Sequence, residues 1–175
     1  MTTTSAMFQG RLEGIYLAEM KRETLQRLEE VMAIAGRGLE GDRYCRQQGT
    51  FSKAGHADRE VTLIEIEALE ALAHECAINL EPGQARRNLV TRGVPLNHLV
   101  GKEFQVGGVV LRGLRLCEPC GHLEGLTIKG VKDGLCHRGG LRAQIVRGGV
   151  VKTGDAIALY QETEHSAGLV STANP

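Results

Sequence analysis

From Phe104 onward the chain is written in short apolar runs cut by glycine: FQVGGVVLRGLRL, then GLRAQIVRGGVVKTGDAIALY. Turn signals recur at roughly 8–12 residues, a rhythm that suits strands joined by tight turns and leaves no room for long helices. This spacing predicts a β-barrel or folded sheet.

The first half fits the same plan with more variety. FQGRLEGIYLAEM opens with alternation and predicts a strand around Phe8–Leu17. KRETLQRLEE carries no sustained apolar stripe and reads as a short helix or a loop. VMAIA is a short apolar run that ends at Gly36 and reads as a strand. GRGLEGDRY then places three glycines in six residues, which is loop chemistry with unusual backbone angles. In REVTLIEIEALEALAHECA the period changes midway. Val61 and Leu63 belong to a strand, whereas Ile66, Leu69, Ala73 and Cys76 share one face of a helix near 65–77. Cys76 is therefore expected in the core. LEPGQ closes the helix with a Pro-Gly turn, and RRNLVTRGVPL reads as a strand followed by a turn. The expected organisation is a disordered lead over 1–7, one domain over 8–160 and a mobile tail over 161–175. A length of 175 residues suits one domain with its own core.

Composition removes several classes of function. Aromatic residues make up 3% and Trp is absent, which argues against a nucleic-acid surface built on base stacking. Net charge is zero, so no global basic field exists. The charge is nevertheless uneven. Residues 1–85 hold nine Lys/Arg against fourteen Asp/Glu, and residues 86–155 hold twelve against five. Either the halves interleave in space and cancel, or the basic half frames an anionic ligand. No stretch reaches the roughly 18 apolar residues of a membrane span, and MTTTSAM is not built like a signal peptide. With five cysteines and no secretory pattern, the expectation is a cytoplasmic chain with reduced thiols and no membrane partner.

The chemistry concentrates in RLCEPCGHLEG, residues 115–125. Cys117 and Cys120 could form a redox disulfide, although the two glycines that follow weaken any helix N-terminus of the kind that activates a CxxC thiol. They could join His122, Cys136 and His137 around zinc, although adjacent residues such as Cys136 and His137 seldom reach one metal together. That reading makes the chain a zinc-stabilised β domain acting as a non-catalytic interaction module. One of the thiols could instead be a reactive thiolate in a cationic setting, with Pro119 aiming Cys120. Inert packing is the remaining option. The residues alone leave these four open.

Five blocks in fixed order carry a resemblance: GRGLEGDRY at 36–44, REVTLIEIEAL at 59–69, RRNLVTRGVPLNHLVGKEF at 86–104, RLCEPCGHLE at 115–124 and HRGGLRAQIVRGGVVKTGDAI at 137–157. Together they resemble the MOSC domain family, named for the C-terminal domain of molybdenum-cofactor sulfurases, over nearly all of residues 8–160. The resemblance implies a mainly β, barrel-like fold with a few short helices and peripheral α+β elements. It implies a molybdenum cofactor of molybdopterin type, with the key cysteine at Cys120 as molybdenum ligand or carrier of sulfane sulfur. It also implies one of two activities. The first is reduction of N-hydroxylated compounds with electrons from a separate protein, as in relatives similar to the mitochondrial amidoxime-reducing component. The second is sulfur transfer from a separate donor through a persulfide. Tyr44 stands where many relatives have His. The pyridoxal-phosphate desulfurase domain of cofactor sulfurases has no counterpart, so no pyridoxal phosphate is expected on this chain alone. The expected partners are the cofactor or a small-molecule substrate and the sulfur or electron donor, with a homodimer as the candidate assembly.

Residue chemistry extends the list of candidates. Arg43, Arg86, Arg87, Arg92 and Arg138 offer cationic donors for phosphate and carbonyl oxygens. Asn88 can donate to and accept from a pterin edge, and Asp42 can accept from ring N–H groups. Gly139 allows close backbone approach. Neighbouring strand positions face opposite ways, so at most one of Arg86 and Arg87 is expected to enter the site.

Overall fold

The computed structural model describes residues 8–46 and 57–161. The lead over 1–7 and the tail beyond Gln161 lie outside the described residues. In chain order the elements are β1 (Gly10–Leu17), β2 (Gln26–Leu28), β3 (Glu30–Ile34), β4 (Gly38–Leu39), β5 (Val61–Glu65), α1 (Ile66–Cys76), β6 (Leu89–Arg92), β7 (Glu103–Val106), β8 (Val109–Leu116), α2 (Gly121–Leu126), α3 (Val131–Gly134), β9 (Leu141–Arg147), β10 (Gly149–Lys152) and β11 (Ala156–Leu159).

Seven strands close into a barrel in the order β11, β7, β8, β9, β5, β6, β1, with β1 returning to pair with β11. β2 hangs on the other edge of β1, and β10, β3 and β4 form a small separate sheet. Every neighbouring pair in the barrel is antiparallel except β5 and β6, which run parallel. A parallel pair needs a crossover, and α1 supplies it. The fold is thus mainly β and barrel-like with short helices, as the glycine rhythm and the family resemblance imply.

Alternation along β5 sets the layers. Val61 and Leu63 point inward to the barrel core with Leu12, Ile15, Leu89, Phe104, Leu111, Leu141 and Ala143. Ile64 points outward and packs with Leu69, Leu72, Val90, Leu123, Val131 and Leu135 in a second core beneath the helices. One face of the wall therefore fills the barrel, and the other carries α1, α2 and α3. Gly140 is the tightest junction. It has φ +111, and an added Cβ would lie 2.0 Å from the Leu63 carbonyl oxygen. Only glycine lets the chain enter β9 so close to β5.

The structure revises three local expectations. KRETLQRLEE contributes the strand β2 rather than only a short helix or a loop; its three residues are all exposed and are held by pairing with Ile15, Tyr16 and Leu17. Cys76 is exposed. It shares the inner side of α1, but it faces Gly134, which has no side chain to cover it. The segment after Cys120 is a helix despite Gly121 and Gly125.

Candidate functional site

The outward face of β5 and β9 is the floor of a cleft with a cavity volume of about 80 Å³. Its walls come from the GDRY loop, the Arg86–Asn88 segment and the loop from Cys117 to α2. Arg43, Arg86, Arg87, Asn88 and Cys120, five of the nine residues expected from sequence to form the cofactor site, line it together with Tyr44 and His122. Asp42 lies just behind the wall. Its Oδ1 accepts from the Ala18 N–H and the Asn88 side chain, both at 3.4 Å, and its Oδ2 accepts from the Tyr44 N–H at 2.9 Å. Burial pushes its pKa up, although these donors and Arg43 favour the charged form. Asp42 is thus committed to shaping the loop, and its oxygens do not face a ligand.

Asn88 is committed in the same way. Its Oδ1 accepts from the Thr62 N–H at 3.1 Å and hydroxyl at 3.0 Å, and its Nδ2 donates to the Tyr16 carbonyl at 3.2 Å. Arg87 is a buried brace. Nε donates to the Gly139 carbonyl at 2.9 Å, Nη1 to Ala85 at 3.2 Å and Nη2 to Cys117 at 3.1 Å. It fixes the cysteine loop against the chain entering β9 and adds a positive charge to the cleft wall. Gly139 serves the same junction: an added Cβ would lie 2.6 Å from the Cys117 oxygen and 2.8 Å from Pro119 Cδ.

Both Arg86 and Arg87 line the cleft, contrary to the expectation from strand alternation. Arg86 precedes the strand and sits in the left-handed region at φ 58, closing the turn Pro82–Ala85, so alternation does not apply to it. Its Nη1 donates to the Glu23 carbonyl at 2.8 Å. Burial, and then the neighbouring Arg43 guanidinium, depress its pKa. Arg43 is itself buried. It lies over the Tyr44 ring at 4.8 Å, and its Nη1 has the Asp42 carboxylate at 3.7 Å but no hydrogen-bond partner among the described residues.

The structure does not bring Arg92 and Arg138 to this cleft. Arg92 pairs with Glu13 and Glu70, and Arg138 with Glu75 and the Gly134 carbonyl. Among the lining residues that escaped the sequence reading are Thr62 and Arg142. They are register partners on adjacent strands, each between two inward-facing apolar residues. The alternation Leu-Arg-Ala in β9 is the signal that would have found Arg142. Its Nε is buried with no hydrogen-bond partner among the described residues.

The two cysteines separate clearly. Cys117 is buried, and its N–H donates to the Gly140 carbonyl at 2.7 Å. Cys120 is exposed in the cleft and caps α2 from extended backbone at φ −136, ψ 169. Cys117, Cys120 and His122 do not converge as a ligand set. Among the described residues, the group of three metal-compatible donors with mutually close ligand atoms is Glu118, Cys136 and His137.

A closed seven-strand barrel, an arginine-lined cleft and one exposed thiol at its rim now stand together. The MOSC domain family model matches residues 50–158. The chain belongs to the MOSC domain family. MOSC domains are associated with molybdenum-cofactor interactions. Solved structures agree on the fold. The YuaD protein from Bacillus subtilis superposes with TM-score 0.73 at 20% identity, covering 89% of this chain and 98% of that one. YiiM from Geobacillus stearothermophilus gives 0.67 at 13% identity, covering 87% and 75%. YiiM from Escherichia coli gives 0.63 at 18% identity, covering 90% and 71%. No curated protein sequence matches the chain. Among the described residues no helix is long and apolar enough to cross a membrane.

Proposed function

We propose that this MOSC domain binds an anionic molybdenum cofactor of molybdopterin type in the cleft, with the Cys120 thiolate directed at the metal. The observation that carries this reading is the crowding of Arg43, Arg86, Arg87 and Arg142 around one cavity beside an exposed thiol. Like charges held this close oppose one another, and a bound phosphate relieves that cost while filling donor capacity left open on Arg43 and Arg142. Arg43, Arg86 and Arg142 would hold the phosphate and polar edge, and Arg87 would add charge while its N–H groups keep the cysteine loop in place. Tyr44 offers a ring face and a hydroxyl to the heterocycle. A soft thiolate suits a molybdenum centre already bearing sulfur. When bound, the group supplies two-electron redox chemistry, and reduction of N-hydroxylated compounds with a separate electron donor is the activity we assign to it.

A second reading uses the same thiol without the metal. Cys120 is exposed where Cys117 is buried, so it can meet a donor protein. Its thiolate would attack the outer sulfur of a donor persulfide, forming a new persulfide on Cys120 and releasing the donor thiolate.

Elemental analysis of protein made in a host that synthesises the cofactor tests both. Molybdenum near one atom per chain in the wild type, lost in a folded Cys120→Ala variant, is the expected result. A molybdenum-free wild type carrying an extra mass of about 32 Da on Cys120 would favour the carrier. A Cys120→Ala protein that keeps molybdenum and full activity would sink both readings.

A further inference from the structure

The loop that carries Cys120 brings Glu118 against the turn after α3, where Cys136 and His137 stand side by side. One ligand atom from each of the three lies within 4.8 Å of the others. Neighbouring residues rarely serve one metal, because their side chains normally diverge. Here the backbone removes that obstacle. His137 sits in the left-handed region at φ 61, which swings its side chain out of the usual path. Three contacts hold it there. Glu118 accepts from the His137 N–H at 2.9 Å and shares a 3.0 Å hydrogen bond with ring Nδ1, and the His137 carbonyl accepts from Asn97 Nδ2 at 2.7 Å.

We infer that Glu118, Cys136 and His137 form a second metal site beside the arginine cleft, sharing Glu118 with its wall, that takes a borderline-soft divalent cation with zinc as the first choice. A thiol, an imidazole and a carboxylate select zinc over magnesium or calcium, which prefer oxygen alone. Zinc bonds of about 2.0–2.3 Å in a tetrahedron place ligand atoms about 3.5 Å apart. All three side chains are exposed, so rotamer changes bring them to that spacing without disturbing the core. Three protein ligands leave a fourth position for water. The cation would tie the cysteine loop to the turn that precedes β9, two segments already joined through Glu118. This is a different zinc site from one built on Cys117 and Cys120. It sits on a barrel with its own core, so the chain folds without it.

Zinc titrated calorimetrically into the untagged full-length protein tests the assignment, with cobalt(II) as the optical probe. One zinc per chain is expected, and cobalt should show a thiolate charge-transfer band with tetrahedral intensity. Cys136→Ser should abolish that band and weaken zinc at least about tenfold, since losing even an outer-shell partner costs that much. His137→Gly keeps the left-handed backbone without the imidazole and should weaken zinc similarly. Cys76→Ser, at another exposed thiol, should change neither. Absence of saturable zinc binding in the wild type overturns the site. So does a zinc affinity that is unchanged in Cys136→Ser, or one that falls in Cys120→Ala but not in Cys136→Ser. Molybdenum content is read separately from zinc, so neither result stands in for the other.

Discussion

Two adjacent arginines divide the labour of the cleft. Arg87 spends its donors on three backbone carbonyls, whereas Arg86 makes one backbone contact and keeps the rest of its guanidinium for the cavity. Because Arg86 occupies the left-handed region, Arg86→Gly removes the guanidinium without forcing a new backbone. Its stability should stay within about 1 kcal/mol of wild type. Its affinity for inorganic phosphate should fall about tenfold, or about 1.4 kcal/mol, by calorimetric titration. A second residue-scale prediction concerns the buried Glu60, which accepts from the Ile145 N–H at 2.8 Å. Burial raises its pKa above the usual 4.5. The folded state then holds the proton more tightly than the unfolded one, so Glu60 stabilises at low pH and that contribution is lost as pH rises through the folded pKa. Glu60→Gln lacks this loss. In urea titrations its stability relative to wild type should climb as pH rises from about 4.5 and then level off; a pH-independent difference would refute the assignment. Residue types were the legible part of this site. Arg43, Arg86, Arg87, Asn88 and Cys120 announced themselves as chemistry-bearing groups. What the string could not show was commitment: Asp42 and Asn88 turn their polar atoms toward backbone partners, and Arg92 and Arg138 meet glutamates that lie far away in sequence.

At the scale of elements, periodicity worked where one face is buried and failed where none is. β1, β3 and α1 alternate or repeat against a core, and each falls close to its expected bounds. β2 is exposed along its whole length and exists through pairing alone, so no pattern marks it. α2 was hidden by its glycines, which lower helix propensity by about 1 kcal/mol each. Leu123 explains why it forms: packed under α1 and α3, it supplies burial that local propensity lacks. Gly125 meets no atom within 4 Å of an added Cβ. Gly125→Ala should therefore stabilise the chain by about 0.5–1 kcal/mol, visible as a raised denaturation midpoint. An unchanged or lowered midpoint would mean that α2 depends on glycine for its shape.

At the scale of the molecule, the charge asymmetry between the halves resolves into two uses. Arg92, Arg115 and Arg138 from the basic half pair with Glu13, Glu70, Asp58 and Glu75 from the acidic half. Arg86, Arg87 and Arg142 line the cleft instead. The interleaving reading holds for the paired set, the cleft set is the one our proposal assigns to an anionic ligand, and only the three-dimensional pairing could sort them. The barrel wall is also uneven. β8 and β9 are paired along most of their length, while β1 meets β11 only at Gly10–Ile157 and Arg11–Ala156. Hydrogen exchange should therefore be fastest at this seam among the barrel strands, with β8 and β9 amides protected to near the global unfolding free energy. Uniform protection around the ring would show that the barrel opens only as a whole.

The same seam has an architectural consequence. Gly10 lies opposite Ile157 in an antiparallel pair, so the polypeptide enters and leaves the barrel at one corner. A unit with that property can be spliced into a host loop as a cassette, because the host chain is interrupted without being spread apart. Anything fused upstream or downstream emerges at that shared corner.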